Sequence, residues 1–385
     1  MPIQQSLITP TANPELEKAL RDRVDRRAAI AGGLGELEPL AVRLGLVQNT
    51  LTPRFRDPVL VLFAADHGIV VDGIGAQWGR STREQAQMAL QNRLPTSVFA
   101  RVQGLQLVVV DCGIADSLAP HAKLLARKIA HGTRNARSGP AMSVEQAHAG
   151  VRVGMEIADN LPGNVLACAG MGQGSPESAA LVLARLGECP VRDFVVSGPD
   201  MRQDELAHLL TVLQSTQGRH KDVTDPMEVL AAFGGFETAV MVGAMLVAAS
   251  KRSLIMVDGI TACAALKIAS RIAPPVTDYA VFCRSHVHRG LDEALAQFHA
   301  SALLELGMNS ADGTGAALAW PMIRSAAALL TDLHETAEAR TAPPILNHVI
   351  EPNVSRNGNG NSTINATVSG NGNGNGSSAG LLPER

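Results

Sequence analysis

One carboxylate, Asp312, stands before a turn of small residues, Gly313-Thr314-Gly315, and an alanine-rich apolar run begins directly after it. Glycines permit a tight backbone and the close approach of a ligand. A helix that begins here would point free N–H groups at whatever lies in front of it. The pattern therefore predicts either a carboxylate at the edge of a pocket or an aspartate that caps the following helix, since Asp is a preferred capping residue.

A second stretch of small residues, 169–180, follows an apolar run and contains Met171, Gly172, Gln173, Gly174 and Ser175 in sequence. A proline comes next, where a first helical position is expected. A strand, a glycine loop and a helix N-terminus in this order are typical of a phosphate cradle. The stretch lacks the Gly-Lys-Ser/Thr of a P-loop and the spacing of a dinucleotide fingerprint. It predicts a phosphate site or, as an equal alternative, a tight turn.

Asp66 and His67 directly follow a continuous apolar run, 59–65, which is typical of a strand buried on both faces of a parallel sheet. Polar residues at the end of such a strand are expected in a ligand-facing loop. There the two residues could serve as an acid–base pair, and a turn that only supports the floor of a pocket is the alternative.

The apolar runs alternate with helical patterns along the chain, which predicts βαβ units and a doubly wound parallel α/β sheet. Asn13 marks a helix start, and the region up to residue 47 is predicted to be helical. The predicted strands are 59–65, 105–110, 164–170, 194–197, 254–258 and 278–283.

The composition excludes several classes of protein. The chain has 385 residues, a net charge of -3 and only 3% aromatic residues. It therefore offers neither the basic field nor the stacking platforms that nucleic-acid binding requires. No apolar run reaches the length of about 18 residues that a membrane helix needs. We expect no nucleic-acid partner and no membrane association.

The cysteines predict reduced thiols in a cytoplasmic protein. Five are present, and none forms a C-x-x-C pair. The first residues show no secretion signal, so we expect a cytoplasmic location. His286 and His288 could place two ligands on one strand face, but no third ligand stands at a useful spacing, so no metal site is predicted.

Several short stretches, none specific alone, follow one another between about residues 15 and 335: 63–69, 110–114, 128–135, 139–142, 170–174, 234–239, 257–260, 284–285 and 312–319. In this order they resemble the nicotinate-nucleotide–dimethylbenzimidazole phosphoribosyltransferase family. The resemblance implies transfer of the phosphoribosyl group of nicotinate mononucleotide to a nitrogen of dimethylbenzimidazole or a related base, with release of nicotinate and inversion from β to α. It also implies a homodimer that needs no metal or other cofactor.

The resemblance further implies two domains. The large Rossmann-like domain is expected over residues 51–300, and the small helical domain over residues 1–50 and 301–350. Residues 351–385 are rich in Asn, Gly and Ser, and this composition predicts a disordered tail.

The family's catalytic base is a glutamate, and the matching position here is Asp312. A base is needed because the azole attacks poorly while its second ring nitrogen keeps a proton. The resemblance also implies substrate-binding residues. They are Met171, Gly172, Gln173, Gly174, Ser175, Ser285 and Gly313, with Trp78 as a flat wall of the azole slot. Asp66 and His67 are added to these substrate-binding residues from their position after the first buried strand.

The chain departs from the family pattern at the glycine loop, where Gly170 replaces a glutamate and Pro176 and Glu177 replace two threonines. The family's phosphate-contacting lysine has no clear counterpart, although Lys221 could substitute for it. A catalytically impaired paralogue that binds nucleotide or base as a regulator or partner subunit is therefore the alternative.

Three further residues are interpreted from their positions alone. Asp258 ends a predicted strand and is expected to hold a neighbouring loop. Arg134 and Arg284 could meet a phosphate or carboxylate, or form ion pairs on the surface.

Overall fold

Six strands form one fully parallel sheet in the computed structural model, which describes residues 8–75, 80–195, 201–285, 289–309 and 312–333. The order across the sheet is β3-β2-β1-β4-β5-β6. The strands are β1 (Val59–Ala65), β2 (Gln106–Gly113), β3 (Leu124–Ala126), β4 (Val165–Met171), β5 (Leu254–Asp258) and β6 (Ala280–Phe282).

Helices connect the strands and cover both faces, which confirms the predicted doubly wound α/β fold. They are α1 (Pro14–Ala31), α2 (Leu37–Gln48), α3 (Thr82–Leu90), α4 (Pro95–Gln103), α5 (Val144–Asn160), α6 (Ser175–Gly187), α7 (Gln203–Arg219), α8 (Pro226–Phe233), α9 (Phe236–Ser250), α10 (Ile260–Ile272), α11 (Arg289–Ala296) and α12 (Thr314–Thr331). None of the described helices is both long and apolar enough to cross a membrane.

Alternate residues of the central strand β1 enter two separate cores, as the two-residue period of a strand requires. Val61 and Phe63 pack with α6, α8, α9 and α10 on one face. Leu60 and Leu62 pack on the other face with α1, α2, α4 and α12. Because both faces are covered, the strand is apolar throughout and gives no alternating pattern in the sequence.

The N-terminal helices α1 and α2 pack against the C-terminal helix α12, as a small helical unit built from both chain segments requires. Asn13 Oδ1 accepts a hydrogen bond from Leu16 N–H at 3.1 Å, so α1 begins where the sequence predicts a helix start. The domain boundaries at residues 50 and 300 stay a prediction.

Two details of the strand prediction are wrong. Val191–Phe194 forms a single 3₁₀ turn after Pro190, so the strand predicted over 194–197 is wrong at Phe194, which is fully buried in this turn. Residues 196–197 of that prediction lie outside the described part of the chain. The short strand β3 is absent from the predicted strands, because three residues are too few to carry a pattern.

Some predictions concern residues outside the described part of the chain. These are Trp78, His286, His288 and the tail 351–385.

Candidate active site

The strand order reverses between β1 and β4, and the loops that follow these two strands lie against each other. His67 N–H donates to the carbonyl oxygen of Gln173 at 3.2 Å. A Cβ on Gly172 would overlap the carbonyl oxygen of Ala65, so only glycine allows this close approach. In open α/β sheets, ligands bind in the crevice at such a switch point.

Asp312 lies at the same carboxyl-terminal edge of the sheet, beside the residue that follows β5. A Cβ on Gly259 would overlap the Asp312 carboxylate, so the carboxylate rests directly on the Gly259 backbone. Gly313, at φ 89°, lies near Leu62 of β1 and Ala169 of β4. The small residues around Asp312 therefore seat it over the ends of three strands.

The expectation that Asp312 caps the following helix is wrong. Gly313 is the residue before the first turn of α12, and the Asp312 carboxylate instead accepts a hydrogen bond from Arg284 Nη2 at 2.8 Å. The first turn of α12 is satisfied from elsewhere, because Ala316 N–H donates to Asp258 Oδ2 at 2.9 Å. Asp258 thus holds the beginning of α12, and the Asp312 carboxylate has no capping role.

Arg284 lies between two carboxylates. Its Nε donates to Asp258 Oδ1 at 2.7 Å while its Nη2 reaches Asp312. The side chains of Arg284 and Asp258 are 2% and 0% exposed, so the surface pairing considered for Arg284 is wrong. Burial lowers the pKa of Arg284, but the two carboxylates outweigh it and raise that pKa above its usual value. The guanidinium is therefore a fixed positive charge behind Asp312.

Burial raises the pKa of Asp312 to about 7. The Arg284 guanidinium opposes this rise, and the nearby Asp258 carboxylate reinforces it. The Asp312 side chain keeps 21% of its surface exposed, so one part of it faces solvent while Arg284 holds the other. A partly open carboxyl group that titrates near neutral pH is suited to take up a proton from a bound molecule.

A second polar cluster lies under the loop after β4, at the beginning of α9. His67 Nε2 and Glu237 Oε1 are 2.8 Å apart, and both side chains are buried. Ser175 Oγ donates to the same Glu237 oxygen at 3.0 Å and lies 2.9 Å from Thr261 Oγ1. Burial lowers the pKa of His67, but Glu237, Asp66 and Glu177 together raise it above its usual value. The cluster ties α6, α9 and α10 to the loop after β1.

Asp66 supports the crevice through hydrogen bonds to its neighbours. Its carboxylate accepts from Thr82 Oγ1 and, at 2.7 Å, from Ala115 N–H. Thr82 Oγ1 in turn accepts from Gln173 N–H at 3.0 Å. Asp66 therefore connects the loops after β1, β2 and β4.

The structure brings most of the predicted substrate-binding residues to one edge of the sheet. The switch-point loops contain Asp66, His67, Gly172, Gln173, Gly174 and Ser175, and Met171 ends β4 as a buried residue. Ser285 follows β6, and its N–H donates to the Leu304 carbonyl at 3.0 Å. The contact between Ser175 and Thr261 links the loop to the segment 258–261 that carries Gly259.

Sequence reasoning missed two contributors to this edge. Glu237 is the only charged residue in an otherwise small and apolar helix, α9, and that contrast could have identified it. Gly259 directly follows the acid at the end of β5, and its φ of 90° explains why glycine is needed there.

The fold and the site define a class of α/β proteins that bind ligands at the carboxyl ends of a parallel sheet. In this chain the Asp312 carboxylate, paired with Arg284, lies at that edge of the sheet. A family model described as phosphoribosyltransferase matches residues 9–341. The chain belongs to this phosphoribosyltransferase family.

Individual relatives agree with the family match. The nicotinate-nucleotide–dimethylbenzimidazole phosphoribosyltransferase of Cupriavidus taiwanensis is 39% identical over 327 residues, which cover 84% of this chain and 94% of the relative. The protein of the same name from a Shewanella species is 32% identical over 331 residues, with 84% and 95% covered. The crystal structure of the Thermus thermophilus protein is 29% identical and superposes with a TM-score of 0.80, covering 86% of this chain and all of that one.

Proposed function

We propose that this chain transfers the phosphoribosyl group of nicotinate mononucleotide to a ring nitrogen of dimethylbenzimidazole or a related base, in the synthesis of the lower ligand of cobalamin. Its similar relatives are named for these two substrates. The single observation that carries the proposal is the Asp312 carboxyl group, which rests on Gly259 after β5, accepts from Arg284 Nη2 at 2.8 Å and keeps 21% of its side chain exposed.

The reaction needs a base but no acid. The bond between C1′ of the ribose and the nitrogen of nicotinate breaks, and its electron pair neutralises the pyridinium ring, so nicotinate leaves without a proton. One nitrogen of the azole forms the new bond to C1′ from the opposite face, which inverts β to α. The other ring nitrogen must lose its proton, and Asp312 takes it up.

Arg284 makes Asp312 a usable base. Without the guanidinium, burial and the Asp258 carboxylate would raise the pKa of Asp312 further, and the group would be protonated at neutral pH. The hydrogen bond from Nη2 also fixes one carboxylate oxygen. The second oxygen is then available to the azole, and its negative charge favours the positive character that C1′ acquires as nicotinate departs.

The loop of residues 171–175 and the beginning of α6 hold the nucleotide in this proposal. The geometry that supports it is the close packing of Gly172 on Ala65 and of Gly174 on His67, which brings backbone to the crevice without side chains between. Ser285 and Gly313 are assigned to the nucleotide as well, and Trp78 to the azole slot, from the family resemblance.

A second candidate function is nucleotide or base binding without turnover, as a regulator or partner subunit. The observation that favours it is Glu177, a buried acid in the first turn of α6. The family resemblance places a threonine at this position, close to the donor's phosphate.

We also propose a homodimer and a cytoplasmic location. Light scattering on the purified protein tests the dimer.

The test of the main proposal is an incubation of the pure protein with nicotinate mononucleotide and dimethylbenzimidazole. We expect nicotinate to be released only when the azole is present, together with an equal amount of the α-linked azole nucleotide. Mass spectrometry identifies the product, and hydrolysis of the donor without acceptor is the control. Binding of the donor without product, with every azole offered and at high enzyme concentration, contradicts transfer and supports the second candidate.

A further inference from the structure

The beginning of α6 contains an acid at the place where the donor's phosphate is proposed to bind. Glu177 is the third residue of the helix and is 9% exposed. Its Oε2 has no hydrogen-bond partner among the described residues. An unpartnered carboxyl oxygen that is this deeply buried costs free energy, so its presence needs an explanation.

The backbone donors of this helix end are largely occupied. The N–H of Ser175 donates to the Gly172 carbonyl at 3.3 Å, and Pro176 has no N–H. The N–H of Ser178 donates to the Gly174 carbonyl at 3.0 Å, and the N–H of Glu177 lowers the pKa of the carboxyl group of the same residue. A helix N-terminus ordinarily offers such N–H groups to an anion. Here an acid of the chain itself, Glu177, stands in the first turn of the helix.

The surroundings of Glu177 belong to the crevice. A Cβ on Gly75 would lie 2.9 Å from the Gly174 backbone and 3.2 Å from Glu177 Oε2, so the loop after β1 covers this end of α6. The charged group that acts on Glu177 is His67 from that loop, and His67 is itself paired with Glu237 of α9. Burial raises the pKa of Glu177, while its own N–H and His67 oppose the rise.

We propose that Glu177 competes with the donor's 5′-phosphate for the N-terminus of α6, so that binding of the phosphorylated donor is accompanied by uptake of one proton onto the Glu177 carboxylate. A phosphate dianion and an ionised Glu177 repel each other in a buried site, whereas the protonated acid can donate a hydrogen bond to a phosphate oxygen. Glu177 thereby determines how strongly the site prefers a phosphorylated donor over the corresponding riboside, and this preference falls as the pH rises. This inference rests on the proposed function, because the donor is nicotinate mononucleotide.

Calorimetric titration with nicotinate mononucleotide tests the inference. The wild-type protein is compared with Glu177→Gln and Glu177→Thr between pH 7 and 9, where the free phosphate is already a dianion because its second pKa is about 6. Only protein with a protonated Glu177 binds the phosphorylated donor, so wild-type affinity should fall as the pH rises, by up to about tenfold per pH unit where Glu177 is ionised in the free protein. Both variants should bind the nucleotide with little dependence on pH, and more tightly than wild type at pH 9.

Two comparisons sharpen the result. Titrations in buffers of different ionisation enthalpy count the protons taken up, and we expect about one for wild type at high pH and none for Glu177→Gln. Nicotinate riboside, which lacks the phosphate, should bind all versions alike. Glu145→Gln is the matched control, because Glu145 is an exposed acid in the first turn of α5 and should behave as wild type.

The outcomes separate this inference from the proposed function. If wild type and both Glu177 variants bind nicotinate mononucleotide with the same affinity and the same proton uptake, the inference is wrong and the proposed donor stands. If no version binds the nucleotide at any pH, the donor assignment is wrong and the inference fails with it.

Discussion

Arg284 Nη2 donates a hydrogen bond to Asp312 Oδ1 at 2.8 Å, and this contact joins a fully enclosed cation to a partly open carboxylate. The guanidinium is anchored on its other side by Asp258 at 2.7 Å. Because Arg284 is buried and held by Asp258, it fixes one oxygen of the Asp312 carboxylate, while the Asp312 side chain keeps 21% of its surface exposed.

The rate of transfer should follow the ionisation of Asp312. Burial raises its pKa to about 7, and a base acts only when deprotonated. We therefore expect kcat to rise about tenfold per pH unit below 7 and to level off above it. The measurement is kcat between pH 5 and 9 at saturating nicotinate mononucleotide and azole. A rate that stays constant from pH 5 to 7 would exclude this carboxyl group as the base.

Arg284→Lys should move that profile to higher pH. A lysine ammonium cannot reach both carboxylates in the forked geometry of a guanidinium, so the pKa of Asp312 loses its main lowering influence. At pH 7 kcat should fall at least about tenfold, and at pH 9 it should recover much of the loss. Breaking this buried arrangement should also cost about 3 kcal/mol of unfolding free energy.

A merely structural role for Arg284 predicts a different result. The stability of Arg284→Lys would then fall, but the pH at which kcat is half-maximal would stay near 7. Denaturant unfolding and the pH profile, measured on the same preparation, separate these two roles.

Gly259→Ala should displace the Asp312 carboxylate. The added Cβ would overlap it, and the φ of 90° at this position is strained for any residue with a side chain. We expect kcat to fall by about a hundredfold, because a shift of about 1 Å in a reacting group has that effect. Donor affinity, measured by calorimetry, should change little.

The matched control for this variant is Gly218→Ala. Gly218 lies in α7 with nothing within 4 Å of an added Cβ, so alanine should leave kcat unchanged. Equal kcat for Gly259→Ala and wild type would mean that Asp312 need not rest on the Gly259 backbone.

His67→Gln should destabilise the fold, because it leaves the Glu237 carboxylate buried without its charged partner. The expected loss is about 3 kcal/mol of unfolding free energy. The folded-state pKa of His67 lies above its ordinary value of 6.5. The stability that the charged imidazole contributes is therefore fully present below pH 6.5 and is lost as the pH rises through the raised pKa.

Denaturant unfolding of wild type and His67→Gln at pH 6 and pH 9 checks this expectation. The difference between the two proteins should be larger at pH 6. An equal difference at both pH values would show that the imidazole contributes only through packing. Full stability together with lost kcat would instead favour an acid–base role for His67.

The fold could be predicted because its central strands are apolar on both faces. The runs at β1, β4 and β5 stand out against the helices between them, and a polar residue or glycine follows each. The strand prediction failed at Phe194, because this residue packs into the core from a turn, and burial alone gives the same apolar signal as a strand.

The candidate site could be predicted only in part. The small residues around Asp312 and the glycine loop were visible, since close backbone contacts require glycine wherever they occur. The partners of Asp312 were not visible, because Arg284 and Asp258 lie 28 and 54 positions away in the chain. Only the fold brings them together, and the sequence left Arg284 with a surface role as an alternative.

The central claim is that Asp312 is the base for phosphoribosyl transfer, and Asp312→Asn tests it most directly. The amide keeps the size of the side chain, and its oxygen can still accept a hydrogen bond from Arg284. The variant should therefore fold, and circular dichroism and thermal unfolding check this. The measurement is azole-dependent nicotinate release at pH 8 from nicotinate mononucleotide. We predict at least about a hundredfold lower kcat for Asp312→Asn, within the range that general-base catalysis contributes, and partial activity for Asp312→Glu. A folded Asp312→Asn protein with wild-type kcat would contradict the assignment.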